Sequence, residues 1–163
     1  MIYAKTCERW CVQEITLEGP KDGNPFKDQE LYGTFLCSAE KKTVKGFYDG
    51  EGTYKIRFMP SFEGEYTFSL TGSFFEGEKT GSFSVTPASE GNHGPVRVAG
   101  QWHLAYEDGK PYYSIGTTCY VWELQSDERI RETLRSLKEA RFNKIRFCIF
   151  PKHYDYNLYE PRS

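Results

Sequence analysis

The chain predicts a mainly β protein: an antiparallel immunoglobulin- or fibronectin-like β-sandwich, then a truncated βαβ start of a (β/α)8 barrel. Three observations carry this. In 46–70, GFYDGEGTYKIRFMPSFEGEYTFSL, Tyr54, Ile56 and Phe58 alternate with Lys55 and Arg57, and Tyr66, Phe68 and Leu70 alternate with Thr67 and Ser69. A period of two puts one apolar and one polar row on each strand, the pattern of a half-buried sheet. Turn clusters rich in Gly, Asp and Pro recur at near-regular spacing across residues 1–90, as in a sandwich of about six or seven short strands. Beyond residue 115 the period changes from two to helical and back within some forty residues, the mark of a βαβ unit.

Taken in order, Trp10–Leu17 predicts a first strand whose parity breaks between Val12 and Ile15, read as a bulge. A turn cluster covers 19–25. Leu31, Gly33, Phe35 and Cys37 share one face of the second strand, and Val44–Tyr48 returns antiparallel as the third. Asp49-Gly50-Glu51-Gly52 is turn chemistry, because Gly reaches positive φ without steric cost. Strands follow at 54–59, 64–71 and 82–86, the last with Phe83 and Val85 inward, after a loop at 73–80. Pro87–Pro95, PASEGNHGP, is a composition break, which puts the sandwich at residues 1–90 and the second domain at 91–163.

In that second domain, Trp102–Tyr106 and Tyr112–Ile115 flank Glu107-Asp108-Gly109-Lys110 and predict a hairpin. Ile130, Leu134 and Leu137 at helical spacing, after Ser126, Asp127 and Glu128, predict a helix over 127–140. Lys144–Phe150 alternates again until Pro151. Two parallel strands need cover on both faces, so residues 91–163 read as the beginning of a larger α/β domain; a (β/α)8 barrel takes roughly 250 residues. The alternative is a self-sufficient α+β tail. On the barrel reading Ile145, Phe147 and Ile149 pack under helices, and Arg146 projects inward with Lys144, Cys148 and Phe150. Sites in such barrels lie at the C-terminal strand ends. Phe150, Lys152, His153 and Tyr154 would rim the mouth, with Thr118, Tyr120 and Trp122 beside them. The open edge also predicts homo-oligomerisation through the incomplete barrel.

Composition bounds the functions. Of 163 residues 38% are hydrophobic and 17% aromatic, with 12 Tyr and 12 Phe, a folded and strand-favouring mixture. The net charge of −2 supplies no basic field for nucleic acid or an acidic membrane. No apolar run approaches a membrane span, and no signal-peptide core follows Met1, which predicts a cytoplasmic protein. The 5 cysteines, Cys7, Cys11, Cys37, Cys119 and Cys148, are odd in number and scattered, so reduced thiols are expected. Cys7 and Cys11 have no second ligand pair at matching spacing, so no metal is expected. No phosphate loop, nucleophile elbow or zinc signature occurs, and no cofactor is expected.

Asn24-Pro25-Phe26, GFYDGEGTYKIRFMP (46–60), GEYTF (64–68), HGPVRV (93–98), EDGKPYYSIGTTCYVW (107–122), TLRSLKEARFNKIRFCIFPKHYDYN (133–157) and Glu160-Pro161 together carry a resemblance. The chain resembles the N-terminal region of bacterial proteins assigned as glycoside hydrolases, in which a β-sandwich of unknown function precedes a catalytic barrel. The resemblance spans nearly the whole chain. It implies a retaining enzyme with two glutamates, one acid/base and one nucleophile, whose carboxyls stand roughly 5–5.5 Å apart. It places them on barrel strands four and seven, beyond this sequence, so the 163-residue chain is expected to be inactive alone. Arg146, in Phe142-Asn143-Lys144-Ile145-Arg146, matches the second-strand arginine that supports the nucleophile. Tyr120, Trp122, Lys152, His153 and Tyr154 are the substrate-binding candidates, and an oligo- or polysaccharide is the implied partner. Glu107–Asp108 and Asp127–Glu128 read as a turn and a helix start.

A second function class is a stand-alone carbohydrate-binding or interaction module using Trp10, Phe62, Phe74, Phe75 and Trp102, since sugar faces stack on aromatic rings. A third is a sandwich that only supports the downstream barrel.

Overall fold

A computed structural model describes residues 1–149. The chain divides into two compact units, Met1–Pro111 and one that begins at Tyr112. The first holds β1 (Ile2–Tyr3), β2 (Thr6–Glu8), β3 (Gln13–Glu18), the short helix α1 (Pro25–Asp28), β4 (Leu31–Leu36), β5 (Lys41–Lys45), β6 (Phe47–Gly50), β7 (Thr53–Phe58), β8 (Gly64–Gly72) and β9 (Lys79–Thr86). These strands make a four-stranded sheet, β1-β3-β7-β6, and a five-stranded sheet, β2-β9-β8-β4-β5.

The sheets pack as a sandwich because their apolar rows meet. Ile15, Leu17, Tyr54, Ile56 and Phe58 come from one sheet; Leu31, Phe35, Tyr66, Phe68, Leu70, Phe83 and Val85 come from the other, and all are buried. Phe35 and Phe58 stack across the interface with centroids 4.1 Å apart. The alternation read in 54–58 and 66–70 is therefore the core itself.

Three strand expectations are corrected. The first strand has no parity break: it begins at Gln13, and Gln13, Ile15 and Leu17 share the buried face while Val12 is exposed. Gln13 is tolerated inside because its Nε2 donates to the Ala4 carbonyl at 2.7 Å. The strand expected over 44–48 is two strands in different sheets. Its chain leaves β4 after Lys45 and joins β7 at Phe47, and Gly46 at the crossing donates its N–H to the Leu31 carbonyl at 2.7 Å. A Cβ on Gly46 would lie 2.7 Å from Leu31 Cδ2 and 2.9 Å from Ile56 Cγ1, so glycine alone fits between them. The sandwich is also not wholly antiparallel. The N-terminal segment switches sheets between β1 and β2, and β2 runs parallel to β9, Thr6 opposite Ser84.

Asp49–Gly52 is the expected turn, with Gly50 at φ 95°, Glu51 at φ 48° and Gly52 at φ 75°. Asp49 bonds Lys55 Nζ at 2.6 Å.

The hairpin is re-paired. β10 (Val96–Ala99) and β11 (His103–Tyr106) form an antiparallel pair, Val96 opposite Tyr106 and Ala99 opposite His103. The turn at 107–110 does form, Tyr106 N–H bonding the Lys110 carbonyl at 2.8 Å. Beyond it only the bridge between Ala105 and Pro111 survives, because Pro111 has no N–H to extend a ladder. No strand is expected over Val96-Arg97-Val98, directly after the Pro87–Pro95 break; its alternating β-branched residues supply one.

The second unit holds β12 (Gly116–Thr118), a 3-10 turn at Trp122–Leu124, α2 (Asp127–Glu139) and β13 (Lys144–Arg146). β12 and β13 pair in parallel, Gly116 with Lys144 and Thr118 with Arg146. The ladder continues through Cys119 N–H to the Arg146 carbonyl and Cys148 N–H to the Tyr120 carbonyl, each 2.9 Å. The helix starts where expected, Ser126 Oγ accepting the Arg129 N–H at 3.4 Å. Asn143 secures the strand entry: its Oδ1 accepts the Ile115 N–H at 2.9 Å and its Nδ2 donates to the Tyr113 carbonyl at 2.8 Å. No described residue of this unit is buried, and Ile115, Leu134, Phe142, Phe147 and Ile149 are all exposed.

Candidate functional site

The C-terminal ends of β12 and β13 bring together the candidates that the structure describes. Thr118 and Arg146 are register partners. Tyr120 lies two residues beyond Thr118 and so on the same face. The Arg146 guanidinium accordingly sits over the Tyr120 ring, 5.7 Å from its centroid, a cation–π geometry. Arg146 is exposed, and the face it shares with Tyr120 is the one expected to point inward on the barrel reading. Phe147 has the opposite parity and meets the Trp122 ring edge-on at 6.0 Å. Lys152, His153, Tyr154 and Phe150 lie outside the described residues.

The 3-10 turn adds a residue that the sequence reading missed. Both carboxylate oxygens of Glu123 are buried without a hydrogen-bond partner, and so is Trp122 Nε1. The backbone here is held by Leu124 N–H to the Val121 carbonyl at 3.2 Å and Gln125 N–H to the Trp122 carbonyl at 3.4 Å. Gln125 Nε2 also donates to the Val121 carbonyl at 3.2 Å. The sequence signal was an acidic residue directly after a strand-end aromatic, before the Ser126 cap that drew attention instead.

The other carboxyl groups have structural tasks. Glu107 bonds Arg97 at 2.7 Å and Asp108 bonds His93 Nδ1 at 2.8 Å. The Lys110 N–H and then His93 hold the Asp108 carboxyl below its ordinary range. Glu8 takes the Ser89 N–H and Oγ at 2.9 Å each and Asn92 Nδ2 at 2.6 Å, which clasps the linker to the sandwich. These bonds, the Ser89 backbone first, lower its pKa. Cys7 is buried, and burial raises its thiol pKa. Among the described residues, no three His, Cys, Asp or Glu side chains converge as a metal site, and no helix is long and apolar enough to cross a membrane.

The aromatic candidates of the sandwich separate into two groups. Phe74 packs on Tyr54 at 4.3 Å and Phe75 on Phe74 at 5.2 Å, so both extend the core. Trp10 lies under the Arg9 guanidinium at 4.1 Å. Phe62 and Trp102 are exposed, Trp102 at 85%. The outer face of the five-stranded sheet carries a separate shallow groove lined by Thr34, Leu36, Lys41, Thr67, Ser69, Thr80 and Ser82.

Residues 6–73 match the family described as a domain of unknown function, DUF5060. This match covers β2 through β8. Among solved structures, the chain is similar to the crystal structure of a protein named "putative glycoside hydrolase" from Bacteroides vulgatus. Identity is 45% over 93% of this chain, with a TM-score of 0.87. The chain spans 30% of the length of that protein. No curated protein matches.

Proposed function

We propose that this chain is the N-terminal part of a retaining glycoside hydrolase: a DUF5060-type sandwich followed, from residue 91, by the start of a (β/α)8 catalytic barrel. One observation carries the reading. The likeness to the Bacteroides vulgatus protein runs through both units, 93% of the chain, yet accounts for only 30% of that protein. The unpaired state of the second unit supports it, since a parallel strand pair and an amphipathic helix with no buried residue require further layers. On this reading Arg146 supports the nucleophile carboxylate, which a strand further along supplies. Tyr120 and Trp122 line the substrate cleft, joined there by Lys152, His153 and Tyr154. The sandwich shapes and supports the barrel, and the 163-residue chain does not hydrolyse glycosides. Alone, it associates through the uncovered faces of its second unit, which sedimentation tests directly.

The test compares this chain with one continued along its reading frame, against a panel of aryl glycosides. The continued chain turns over at least one substrate with retention at the anomeric carbon, and the 163-residue chain turns over none. Turnover by the short chain, or inversion by the long one, contradicts the proposal.

A binding role for the sandwich is the second reading. It is favoured by the hydroxyl-lined groove over β4, β8 and β9, where Thr and Ser side chains offer donors and acceptors above an apolar floor. Calorimetry with soluble polysaccharides tests it, and Thr67→Val/Ser82→Ala abolishes any heat that comes from this groove.

A further inference from the structure

We propose that the cleft between α1 and the β5–β6 crossing binds one ring of a neutral oligosaccharide, with Phe26 as its stacking surface. The cleft has a volume of about 110 Å³ and is lined by Phe26, Gln29, Lys45, Phe47, Tyr48 and Tyr54. It lies wholly within the first unit, so the inference does not rest on the glycosidase reading. It is also separate from the hydroxyl-lined groove on the outer face of the five-stranded sheet.

The aromatic wall is preorganised. Phe26 is 75% exposed, yet its ring is seated: it meets Tyr48 edge-on at 5.1 Å, and Tyr48 meets the buried Tyr54 at 5.1 Å. Both tyrosines are held by their hydroxyls. Tyr48 accepts the Gly52 N–H at 3.0 Å, and Tyr54 donates to the Pro20 carbonyl at 2.7 Å. The backbone of α1 is fixed as well, since the Asp28 carboxylate accepts the Asn24 N–H at 3.0 Å and the Asn24 carbonyl accepts the Asp28 N–H at 2.9 Å. A row of three rings thus runs from the core to solvent, and the exposed Phe47 adds a second ring to the cleft. An aromatic face held in place this way takes up the C–H face of a sugar with little ordering cost.

The polar lining decides the class of ligand. Lys45 is matched by Glu30 at 3.3 Å. Arg57, 5.1 Å over the Phe47 ring, is matched by Glu14 at 2.7 Å. The charges at the cleft are therefore balanced and draw no small anion. Among the described residues no carboxylate lines it, so a metal ion finds no ligand set. An apolar side chain from a protein partner would strip water from the Gln29 amide and the Lys45 ammonium and return no hydrogen bond. A sugar ring answers both needs: its C–H face covers Phe26, and its hydroxyls bond the amide and the ammonium. The Gln29 amide is already oriented, because its Oε1 accepts the Ser73 hydroxyl at 2.6 Å. Sites that enclose a whole small molecule begin at roughly 300 Å³, so this smaller cleft grips one ring of a longer chain.

The test follows the backbone amide resonances of Phe26, Gly46 and Tyr48 by heteronuclear NMR while the 163-residue chain is titrated with oligosaccharides. Cellohexaose, xylohexaose and mannohexaose are the neutral probes, and hexagalacturonate is the anionic one. The three amides are expected to move saturably with at least one neutral probe. Phe26→Ala removes a mostly exposed side chain and is expected to raise Kd about tenfold or more, whereas Phe26→Tyr keeps the ring and stays within about twofold. Thr67→Val/Ser82→Ala, in the separate groove, leaves the shifts unchanged. Amides unmoved by all neutral probes at about 10 mM, a concentration that fills even a site of 1 mM Kd, overturn the inference. So does binding confined to hexagalacturonate, or unchanged affinity in Phe26→Ala. Loss of the shifts in Thr67→Val/Ser82→Ala would put the ligand in the groove and overturn it too. The glycosidase reading is tested apart from all of these, by hydrolysis with the continued chain.

Discussion

Gly46→Ala puts one methyl group at the point where the chain crosses from one sheet to the other. Its Cβ would fall 2.7 Å from Leu31 Cδ2 and 2.9 Å from Leu31 Cγ and Ile56 Cγ1. Leu31 is 2% exposed and Ile56 0%, so neither can swing into solvent. Overpacking of this kind costs about 1–3 kcal/mol. The alanine recovers about 0.4–1 kcal/mol by restricting the unfolded chain. The balance is a loss of about 1–2 kcal/mol, a fall of roughly 0.5–1 M in the urea midpoint at unchanged slope. Leu31→Ala alone costs about 2–5 kcal/mol by leaving a cavity. In the double variant the new methyl occupies part of that cavity, so the two losses sum to less than their total by about 1 kcal/mol or more. Urea titration followed by Trp fluorescence, with all four chains of the cycle, reads both quantities. A neutral Gly46→Ala, or strict additivity with Leu31→Ala, would refute the tight crossing.

Four further outcomes follow from the hydrogen-bonded groups. Tyr66 donates to Glu40 Oε2 at 2.9 Å and accepts the Phe62 N–H at 3.3 Å, so Tyr66→Phe lowers stability by about 1.5–3 kcal/mol, the worth of a bond to a charged group; equal melting temperatures would contradict it. Burial first, then its hydrogen bonds to Cys37 and Glu40, push the Tyr66 phenol upward, so alkaline titration at 295 nm shows no ionisation of this ring before unfolding. Glu8 has a folded pKa below its unfolded value, so its stabilisation is complete above the ordinary glutamate pKa of about 4.3 and is lost as pH falls through the lower folded value. Glu8→Gln is therefore less stable at pH 7, by an amount that shrinks on acidification below pH 4; a constant difference across that window would count against the clasp. Asn143→Ala removes the bonds to Ile115 and Tyr113, worth about 0.5–1.5 kcal/mol each, and speeds amide exchange at Cys119 and Cys148 with no change in the sandwich.

The buried faces of the sandwich were legible because a period of two exposes side-chain direction directly: 54–58 and 66–70 gave the core without error. The sheet switch at Gly46 was hidden, because the alternation runs through it unbroken and only the approach of Leu31 and Ile56 shows the crossing. Gln13 was hidden for the opposite reason: a polar residue at a core position reads as a broken period until its bond to Ala4 is seen. Val96–Val98 was masked by its Gly and Pro neighbours. At the candidate site, strand polarity and the Arg146 position followed from sequence. The pairing of Arg146 with Tyr120 follows from the parallel register, and the buried ends of Trp122 and Glu123 depend on a 3-10 turn that no periodicity announces.

Hydrogen exchange at Thr117, Cys119, Ile145 and Cys148, in this chain and in one continued along its reading frame, tests the central claim most directly. If the second unit belongs to a larger α/β domain, the parallel pair gains neighbours and cover in the longer chain, and protection at these amides rises by orders of magnitude while the sandwich stays unchanged. Equal protection in the two chains would mean that the strand pair is already complete, and the account would be wrong.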